Sequence, residues 1–189
     1  MKAPTRAEIA GWFAAAKGNA FFRWGVVAAA AIAVIDQISK YWIVHVVKLP
    51  GRWKPCDLHP QDMCRQISVS PIFDLTYVEN RGASFGMLAG GLGSRIILSA
   101  ISIAVATALV IWLGRLKRRF AAAGAALIIG GAIGNLYDRI AYGYVVDFLD
   151  FSGLYFPWVF NIADAAINVG VGCLIVDALT HKTEAKEAV

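Results

Sequence analysis

Residues 130–168 read GGAIGNLYDRIAYGYVVDFLDFSGLYFPWVFNIADAAIN, and they place ionisable side chains within sequence that otherwise resembles membrane helices. The flanking segments, AALII before this stretch and VGVGCLIV after it, are strongly apolar. A charged residue at the centre of a membrane helix costs about 2.5–3.5 kcal/mol on insertion scales. Several of them in one stretch therefore indicate a polar site inside a membrane protein. The ionisable residues of the stretch are Asp138, Arg139, Asp147, Asp150 and Asp164.

The composition supports the membrane class. Of 189 residues, 58% are hydrophobic and only 16% are charged, whereas a soluble domain is typically about a quarter charged. The length fits one domain with four spans of about 20 residues each. The net charge of +5 does not indicate a nucleic-acid partner, because basic residues cluster beside apolar segments, as at 115–119, where membrane topology explains them.

Four apolar segments predict four membrane-spanning helices. The first 22 residues are basic but lack the apolar core of a cleavable signal peptide, so we interpret them as a cytoplasmic extension that forms a short helix on the membrane surface. The predicted spans are 24–47, 92–113, 120–140 and 160–179. The predicted parts of the chain are an N-terminal extension at 1–22, a membrane domain at 23–182 with an outer loop and β segment at about 48–91, and a cytoplasmic tail at 183–189.

The positions of Lys and Arg predict the orientation of these spans. The basic N-terminus, the cluster at 115–119 and the basic tail lie on one side, which is expected to be the cytoplasm. The loops at 48–91 and 141–159 then lie outside. The first of these loops also contains five basic residues, so the charge signal is mixed, but four spans in any case place both termini on the same side.

The outer segment after the first span contains four prolines at 48–71 and does not continue the helix. It carries Cys56 and Cys64, for which a disulfide and a pair of free or metal-binding thiols are both open alternatives. The β-branched and aromatic residues at 67–80, ISVSPIFDLTYVEN, are typical of a strand. They are followed by a polar, small-residue turn that begins at Asn80.

One local pattern occurs twice near the predicted outer surface, as Asn135-x-x-Asp138 and Asn161-x-x-Asp164. Residues three apart share one face of a helix, so each asparagine is expected to donate a hydrogen bond to its aspartate. Asp36 and Lys40 are four apart in the first span and are expected to pair on one face. These patterns predict that amides and carboxylates form a common polar site.

Two aspartates close together in low dielectric tend to share one proton, and such a pair can activate water while its protonated member assists a carbonyl or a leaving amine. The residues alone leave two alternatives open. The carboxylates can serve only as caps and ion pairs, Asp138 with Arg139 and Asp164 at a helix N-terminus, or they can couple proton movement in a transporter. No serine is accompanied by a histidine. We expect neither a metal nor a cofactor, because no histidine accompanies the aspartates.

Four segments together resemble the successive signature blocks of lipoprotein signal peptidase, the intramembrane aspartyl protease also called signal peptidase II. The resemblance extends over about residues 24–180, in the order of the family. The outer loop at 48–70 and the residues before the first span look longer than the family pattern. The four segments are VIDQISK (34–40), YVENRGASFGML (77–88), GGAIGNLYDRIAYGYVVDFLDF (130–151) and FNIADAAINVG (160–170).

The resemblance implies a membrane all-α fold of four transmembrane helices with a small periplasmic β-sheet, formed by about residues 67–88. It implies a catalytic dyad of Asp147 and Asp164, although Asp138 also lies in a signature block and competes for a dyad role. The implied substrates are diacylglyceryl-modified prolipoproteins, cut N-terminal to the lipidated cysteine by a monomeric enzyme that contacts membrane lipid. The enzyme would lie in the bacterial inner membrane with both termini cytoplasmic and its site near the periplasmic face. The implied supporting residues are Asp36, Lys40, Asn80, Gly82, Asn135, Asp138, Arg139 and Asn161.

Overall fold

The computed structural model describes residues 5–56, 61–82 and 91–187. Four helices among these residues are long and apolar enough to cross a membrane, which confirms the predicted four-span architecture. Helix α2 continues beyond its last α-helical residue through a π-helical turn at Trp42–Val46. The four helices are α2 (Ala20–Tyr41), α3 (Leu92–Leu113), α4 (Arg119–Ala141) and α5 (Ile162–Glu187).

Helix α4 forms the centre of the bundle and packs against the other three spans. It is the most buried of the four, because small residues let its neighbours approach closely. A Cβ added at Gly124 would lie 2.7 Å from the Gly170 carbonyl of α5, and one added at Gly130 would lie 2.6 Å from the Ala29 carbonyl of α2. The close packing brings polar side chains on three helices within hydrogen-bonding distance.

A short helix, α1 (Arg6–Gly18), precedes the first span and packs against it. It begins with a capping box, in which the Thr5 side chain accepts from the Glu8 amide and the Glu8 carboxylate accepts from Thr5. The next cap, Asn19, starts α2 and also donates to the carbonyls of Gly114 and Leu116. The beginning of α2 is therefore tied to the turn between α3 and α4.

The sheet lies at the opposite end of the bundle and contains five antiparallel strands among the described residues, in sequence order. The single strand segment predicted at 67–80 is two strands joined by a tight turn, and residues 83–88 of the predicted sheet lie outside the described residues. The loop predicted at 141–159 contains two further strands. The strands are β1 (Trp53–Pro55), β2 (Met63–Ser70), β3 (Phe73–Asn80), β4 (Val145–Asp150) and β5 (Val159–Phe160).

Two features attach the sheet to the helices. Gly143 has a φ of 84°, a conformation that glycine adopts at little cost, and it turns the chain from the end of α4 into β4. An apolar cluster of Ile43, Leu49, Tyr77, Val146 and Phe148 packs the sheet against the end of α2. Strand β4 thus lies beside the end of α4 and the start of α5. At the far edge of the sheet, Cys56 and Cys64 form a disulfide.

Candidate active site

Asp147 lies on β4 and is only 2% exposed. Its position is set by the pairing of β3 with β4, in which Asn80 lies opposite Val145. The Asn80 Nδ2 donates to Asp147 Oδ2 at 3.0 Å, and the Asn161 Nδ2 donates to Asp147 Oδ1 at 2.6 Å. Each carboxylate oxygen therefore receives a hydrogen bond from a neutral amide.

Asp164 lies in the first turn of α5, where the helix dipole favours a negative charge. The Asn135 Nδ2 of α4 donates to its Oδ1 at 2.7 Å, and the backbone amide of Asn161 lies 3.4 Å from its Oδ2. The Asp164 amide in turn donates to Asn161 Oδ1 at 2.9 Å. This carboxylate is half-buried and is also held by amides.

Two asparagines connect the aspartates. The Asn161 Nδ2 lies 3.1 Å from Asn135 Oδ1, so an amide chain runs from Asp147 through Asn161 and Asn135 to Asp164. Burial and, after it, the charge of Asp164 raise the pKa of Asp147 to about 7. The hydrogen bonds from Asn80 and Asn161 oppose this rise. The two carboxyl groups therefore interact electrostatically and are suited to holding one proton near neutral pH.

A second acidic group lies deeper in the bundle. Asp36 and Asp138 are fully buried, and Lys40 is 3% exposed. The Lys40 Nζ lies 2.7 Å from Asp36 Oδ2 and 2.8 Å from Asp138 Oδ2. Its third contact is with Asn135 Oδ1 at 3.2 Å. The pairing of Asp36 with Lys40 predicted from their spacing is present in the structure.

The two buried carboxylates hold the backbone immediately before each member of the first pair. Asp138 Oδ2 accepts from the amide of Val146, which precedes Asp147, at 3.1 Å. Asp36 Oδ1 accepts from the amide of Ala163, which precedes Asp164, at 3.0 Å. The Asp138 carboxylate thus binds the Lys40 ammonium and the β4 backbone. In this it differs from Asp147 and Asp164, whose carboxylates accept hydrogen bonds only from amides.

The structure corrects three local predictions. The side-chain amide of Asn161 donates to Asp147 rather than to Asp164, and its oxygen accepts from the Asp164 backbone amide. The side-chain amide of Asn135 donates to Asp164 of another helix, and no hydrogen bond joins it to Asp138, because Lys40 from α2 takes that carboxylate. For the same reason Asp138 pairs with Lys40, and the alternative in which it pairs with Arg139 is wrong. The prediction failed because spacing along one helix does not report which side chains a neighbouring helix brings.

The remaining predicted residues border this site. The Gly82 amide donates to Asn80 Oδ1 at 3.2 Å, which leaves the Asn80 Nδ2 directed at Asp147. Arg139 is half-buried, and its guanidinium donates to the Asn135 carbonyl at 3.4 Å. All ten predicted site residues therefore lie in or beside one network.

Sequence reasoning missed Gln37. Its amide Nε2 lies 2.8 Å from Asp138 Oδ1, 3.1 Å from Asp36 Oδ2 and 3.2 Å from the Gly134 carbonyl. The only signal for it was its place between Asp36 and Lys40 in VIDQISK, because an uncharged polar residue inside an apolar span needs a partner.

Comparison with known proteins agrees with this geometry. The family described as Signal peptidase (SPase) II matches residues 28–180. The lipoprotein signal peptidase of Caulobacter vibrioides is 46% identical over 171 residues, which cover 85% of this chain and 94% of the relative. That of Pseudoalteromonas translucida is 48% identical over 122 residues, which cover 62% and 73% of the two chains.

A solved structure described as a bacterial membrane enzyme, determined by the in meso method at 2.3 Å resolution, has the same fold. It superposes with a TM-score of 0.69 at 27% identity, and the match covers 85% of this chain and 90% of that one. The family match extends over all four spans and includes both aspartates of the amide-held pair. The chain belongs to the signal peptidase II family.

Proposed function

We propose that Asp147 and Asp164 are the catalytic dyad of this peptidase. The observation that carries the proposal is the amide chain through Asn161 and Asn135, which orients both carboxyl groups without supplying a positive charge to either. The raised pKa of Asp147 supports the same assignment, because an aspartyl dyad needs one protonated and one ionised member at working pH.

In this mechanism the dyad moves protons and forms no covalent intermediate. The ionised carboxylate takes a proton from a water molecule as the water oxygen attacks the carbonyl carbon of the scissile bond, and the protonated carboxyl donates to the carbonyl oxygen. The resulting tetrahedral intermediate collapses when the carboxyl group that received the water proton passes it to the leaving nitrogen. As the C–N bond breaks, one hydroxyl of the intermediate returns its proton to the other carboxylate, so the products are a carboxylic acid and an amine and the dyad again holds one proton.

Asp36, Lys40 and Asp138 support this chemistry by position. Asp36 and Asp138 hold the backbone before each dyad member, and Lys40 binds both carboxylates and donates to Asn135 Oδ1. We assign them no contact with the reacting atoms. Asn80, whose orientation depends on the Gly82 amide, and Asn161 are the direct hydrogen-bond donors to Asp147.

The substrate class follows from the family. The chain cleaves the signal peptide from prolipoproteins, which is the activity of the family whose model it matches and of its lipoprotein signal peptidase relatives. The transporter alternative is not supported, because the matching family and relatives are peptidases. We further propose that the substrate cysteine carries a diacylglyceryl group and that the substrate is cut on the N-terminal side of that cysteine.

The enzyme is a multi-pass membrane protein. We propose that it lies in the bacterial inner membrane with both termini cytoplasmic and the dyad near the periplasmic face. The basic segment at 115–119 lies between α3 and α4, at the end of the bundle opposite the sheet, where Arg118 pairs with Asp177 at 2.8 Å. Cytoplasmic enrichment of short basic loops supports this orientation. We further propose that the enzyme works as a monomer.

Substitution of either dyad aspartate by asparagine tests the assignment. Asp147→Asn and Asp164→Asn keep the size of the side chain but cannot exchange a proton, so cleavage of a lipidated precursor by the purified proteins should fall by about 10²–10⁴-fold. Tm in detergent should remain close to that of the wild type or rise.

A matched control is Asp150→Asn on the same strand. Asp150 is also buried, but it accepts from the Thr76 hydroxyl and the Ser152 amide and does not contact the dyad. Its asparagine variant should keep cleavage within a few-fold of the wild type. Near wild-type turnover in either dyad variant would show that the catalytic carboxylates lie elsewhere.

A further inference from the structure

Gln37 makes an unusual set of contacts for an uncharged side chain in a membrane helix. Its single Nε2 faces three acceptors at 2.8–3.2 Å, which are the carboxylates of Asp138 and Asp36 and the backbone carbonyl of Gly134. It thereby joins α2 to α4 one turn before the Lys40 ammonium, beside the fully buried Asp36 and Asp138.

The charges around Gln37 explain why a donor is required there. Asp36 and Asp138 carry two negative charges when ionised, and Lys40 supplies one positive charge. Two carboxylates and one ammonium leave an excess negative charge in low dielectric, which needs further hydrogen bonds. The donors available are the backbone amides of Val146 and Ala163 and the Gln37 side chain.

The third contact of Lys40 links this balance to the dyad. Two of its contacts are with the carboxylates, and the third is with Asn135 Oδ1 at 3.2 Å. A carboxamide held at its oxygen presents its nitrogen in the other direction, and the Asn135 Nδ2 lies 2.7 Å from Asp164 Oδ1. Asn135 Oδ1 also accepts from the Asn161 Nδ2 at 3.1 Å, so Lys40 is one of two donors that set the orientation of the Asn135 amide. A Lys40 ammonium drawn closer to the two buried carboxylates would weaken its share of that hold.

We infer that Gln37 is a positioning residue for proteolysis, which binds Asp36 and Asp138 so that Lys40 can hold Asn135 in the orientation that donates to Asp164. The inference rests on the proposed role of Asp164 in the dyad. Without the Gln37 donor, the ammonium moves toward the carboxylates and Asn135 Oδ1 keeps only its contact with Asn161. The Asn135 amide is then less well oriented, and its hydrogen bond to the ionised form of Asp164 weakens.

The surroundings of Gln37 allow this role to be separated from packing. The side chain is half-buried and lines a cavity of about 650 Å³ between α2, α4 and the sheet. Most of the cavity wall is apolar or aromatic, including Val34, Ile133 and Tyr137. An unbranched apolar side chain of similar length, such as methionine, therefore fits at position 37 without overpacking.

The test compares Gln37→Met with Gln37→Glu in cleavage of a lipidated precursor over a range of pH. Gln37→Met should lower kcat about tenfold, as expected for loss of a hydrogen bond to a charged group, with KM unchanged. The rising limb of its pH–rate profile should move to higher pH, because the ionised dyad is less well stabilised. Gln37→Glu adds a third carboxyl group, so its activity relative to the wild type should increase as pH falls and that group becomes a donor.

Ser102→Ala on α3 is the control, because Ser102 only bonds its own helix, to the Leu98 carbonyl at 3.0 Å. It should keep the wild-type kcat and pH profile. If Gln37 only stabilises the fold, Gln37→Met will lower Tm or yield but leave kcat and the rising limb of the pH–rate profile of the folded enzyme unchanged. That result would overturn the inference. A lower kcat with an unmoved limb also overturns it.

Asp164→Asn, assayed in parallel, distinguishes this inference from the proposed function. Cleavage by Asp164→Asn would refute the dyad and, with it, the role of Gln37. An inactive Asp164→Asn beside a Gln37→Met variant with wild-type kcat and pH profile would refute the role of Gln37 alone.

Discussion

The protein buries two acidic groups at the same end of its bundle and stabilises them by different means. Asp36 and Asp138 contact the Lys40 ammonium at 2.7 and 2.8 Å. Asp147 and Asp164 receive hydrogen bonds from amides, and their own pairing places like charges together. The groups share Asn135, which accepts from Lys40 and donates to Asp164.

This difference separates support from chemistry. A direct ion pair favours the ionised form of a carboxyl group and fixes its position, so a group held in this way is a poor proton carrier. Neutral amides orient the oxygens while leaving the proton free to move between two acids. Aspartate therefore has a structural role where it binds an ammonium group. It can act as an acid or a base where it accepts hydrogen bonds only from amides.

Removing the ammonium should have the largest effect on stability. Lys40→Met leaves Asp36 and Asp138 buried without a counter-charge, and breaking a buried ion pair from one side costs about 3–5 kcal/mol. We expect a large fall in Tm in detergent and little folded protein. The variant should also lose cleavage, because Asn135 loses one of the two donors that orient it and the backbone before each dyad member loses its fixed carboxylate.

A charge-free version of the group provides the control. Lys40→Met combined with Asp36→Asn and Asp138→Asn removes all three charges at once, and uncharged replacements of buried ion pairs are often no less stable than the original. This triple variant should recover much of the lost Tm without recovering full activity. A single Lys40→Met variant as stable as the wild type would contradict the role of Lys40 as the clamp.

The amide-held pair should instead produce a graded dependence of stability on pH. The pKa of Asp147 is raised from 3.8 to about 7 in the folded protein, so the folded state keeps a proton that the unfolded state releases. Stability should therefore fall as pH rises from about 4 to about 7. Each unit of pKa shift corresponds to about 1.4 kcal/mol.

Asp147→Asn removes this titration, so the Tm of the variant minus that of the wild type should increase as pH rises from about 4 to about 7. The comparison is made by measuring Tm of both proteins in one detergent at each pH. Asp150→Asn should follow the wild-type trend, because it leaves Asp147 intact. Parallel curves for the wild type and Asp147→Asn would show that Asp147 titrates at its ordinary pKa.

The spans and one ion pair could be predicted from the sequence because both are local. Apolar runs of about 20 residues specify membrane helices with little reference to the rest of the chain. The spacing of Asp36 and Lys40 predicted a pair that the structure has at 2.7 Å. The fold class also followed from the resemblance to the family, and the roles of Asp147 and Asp164 rest on that resemblance together with the geometry.

What the sequence did not reveal depends on contacts between distant segments. Strand β4 is buried on both faces and pairs with β3 across about 70 residues, so VVDFLD lacks the alternation that marks a half-exposed strand. The partner of Asn135 is 29 residues away on α5. The local rule that joined it to Asp138 could not include Lys40, which another helix supplies.

The disulfide extends the comparison to the far edge of the sheet and should have the smallest effect. Cys56 and Cys64 link the ends of β1 and β2, and β3 separates these strands from β4. The closed loop is short, so a chain-entropy treatment gives about 2–3 kcal/mol of stabilisation at most, confined to the outer edge. A double Cys56→Ser and Cys64→Ser variant should therefore cleave a lipidated precursor within about twofold of the wild type.

Reductant provides a matched measurement, because it opens the same bond in the unmodified chain and should leave the double variant unaffected. An added protease should then cut this protein faster near β1 and β2, while the protein still cleaves its own lipidated precursor at the normal rate. This result would confirm that the edge strands can loosen independently of the site. A tenfold loss of activity in both the variant and the reduced wild type would show the opposite. The covalent link would then join the ion pairs and the amides in holding the dyad, because movement at the sheet edge would reach Asp147 through the pairing of β3 with β4.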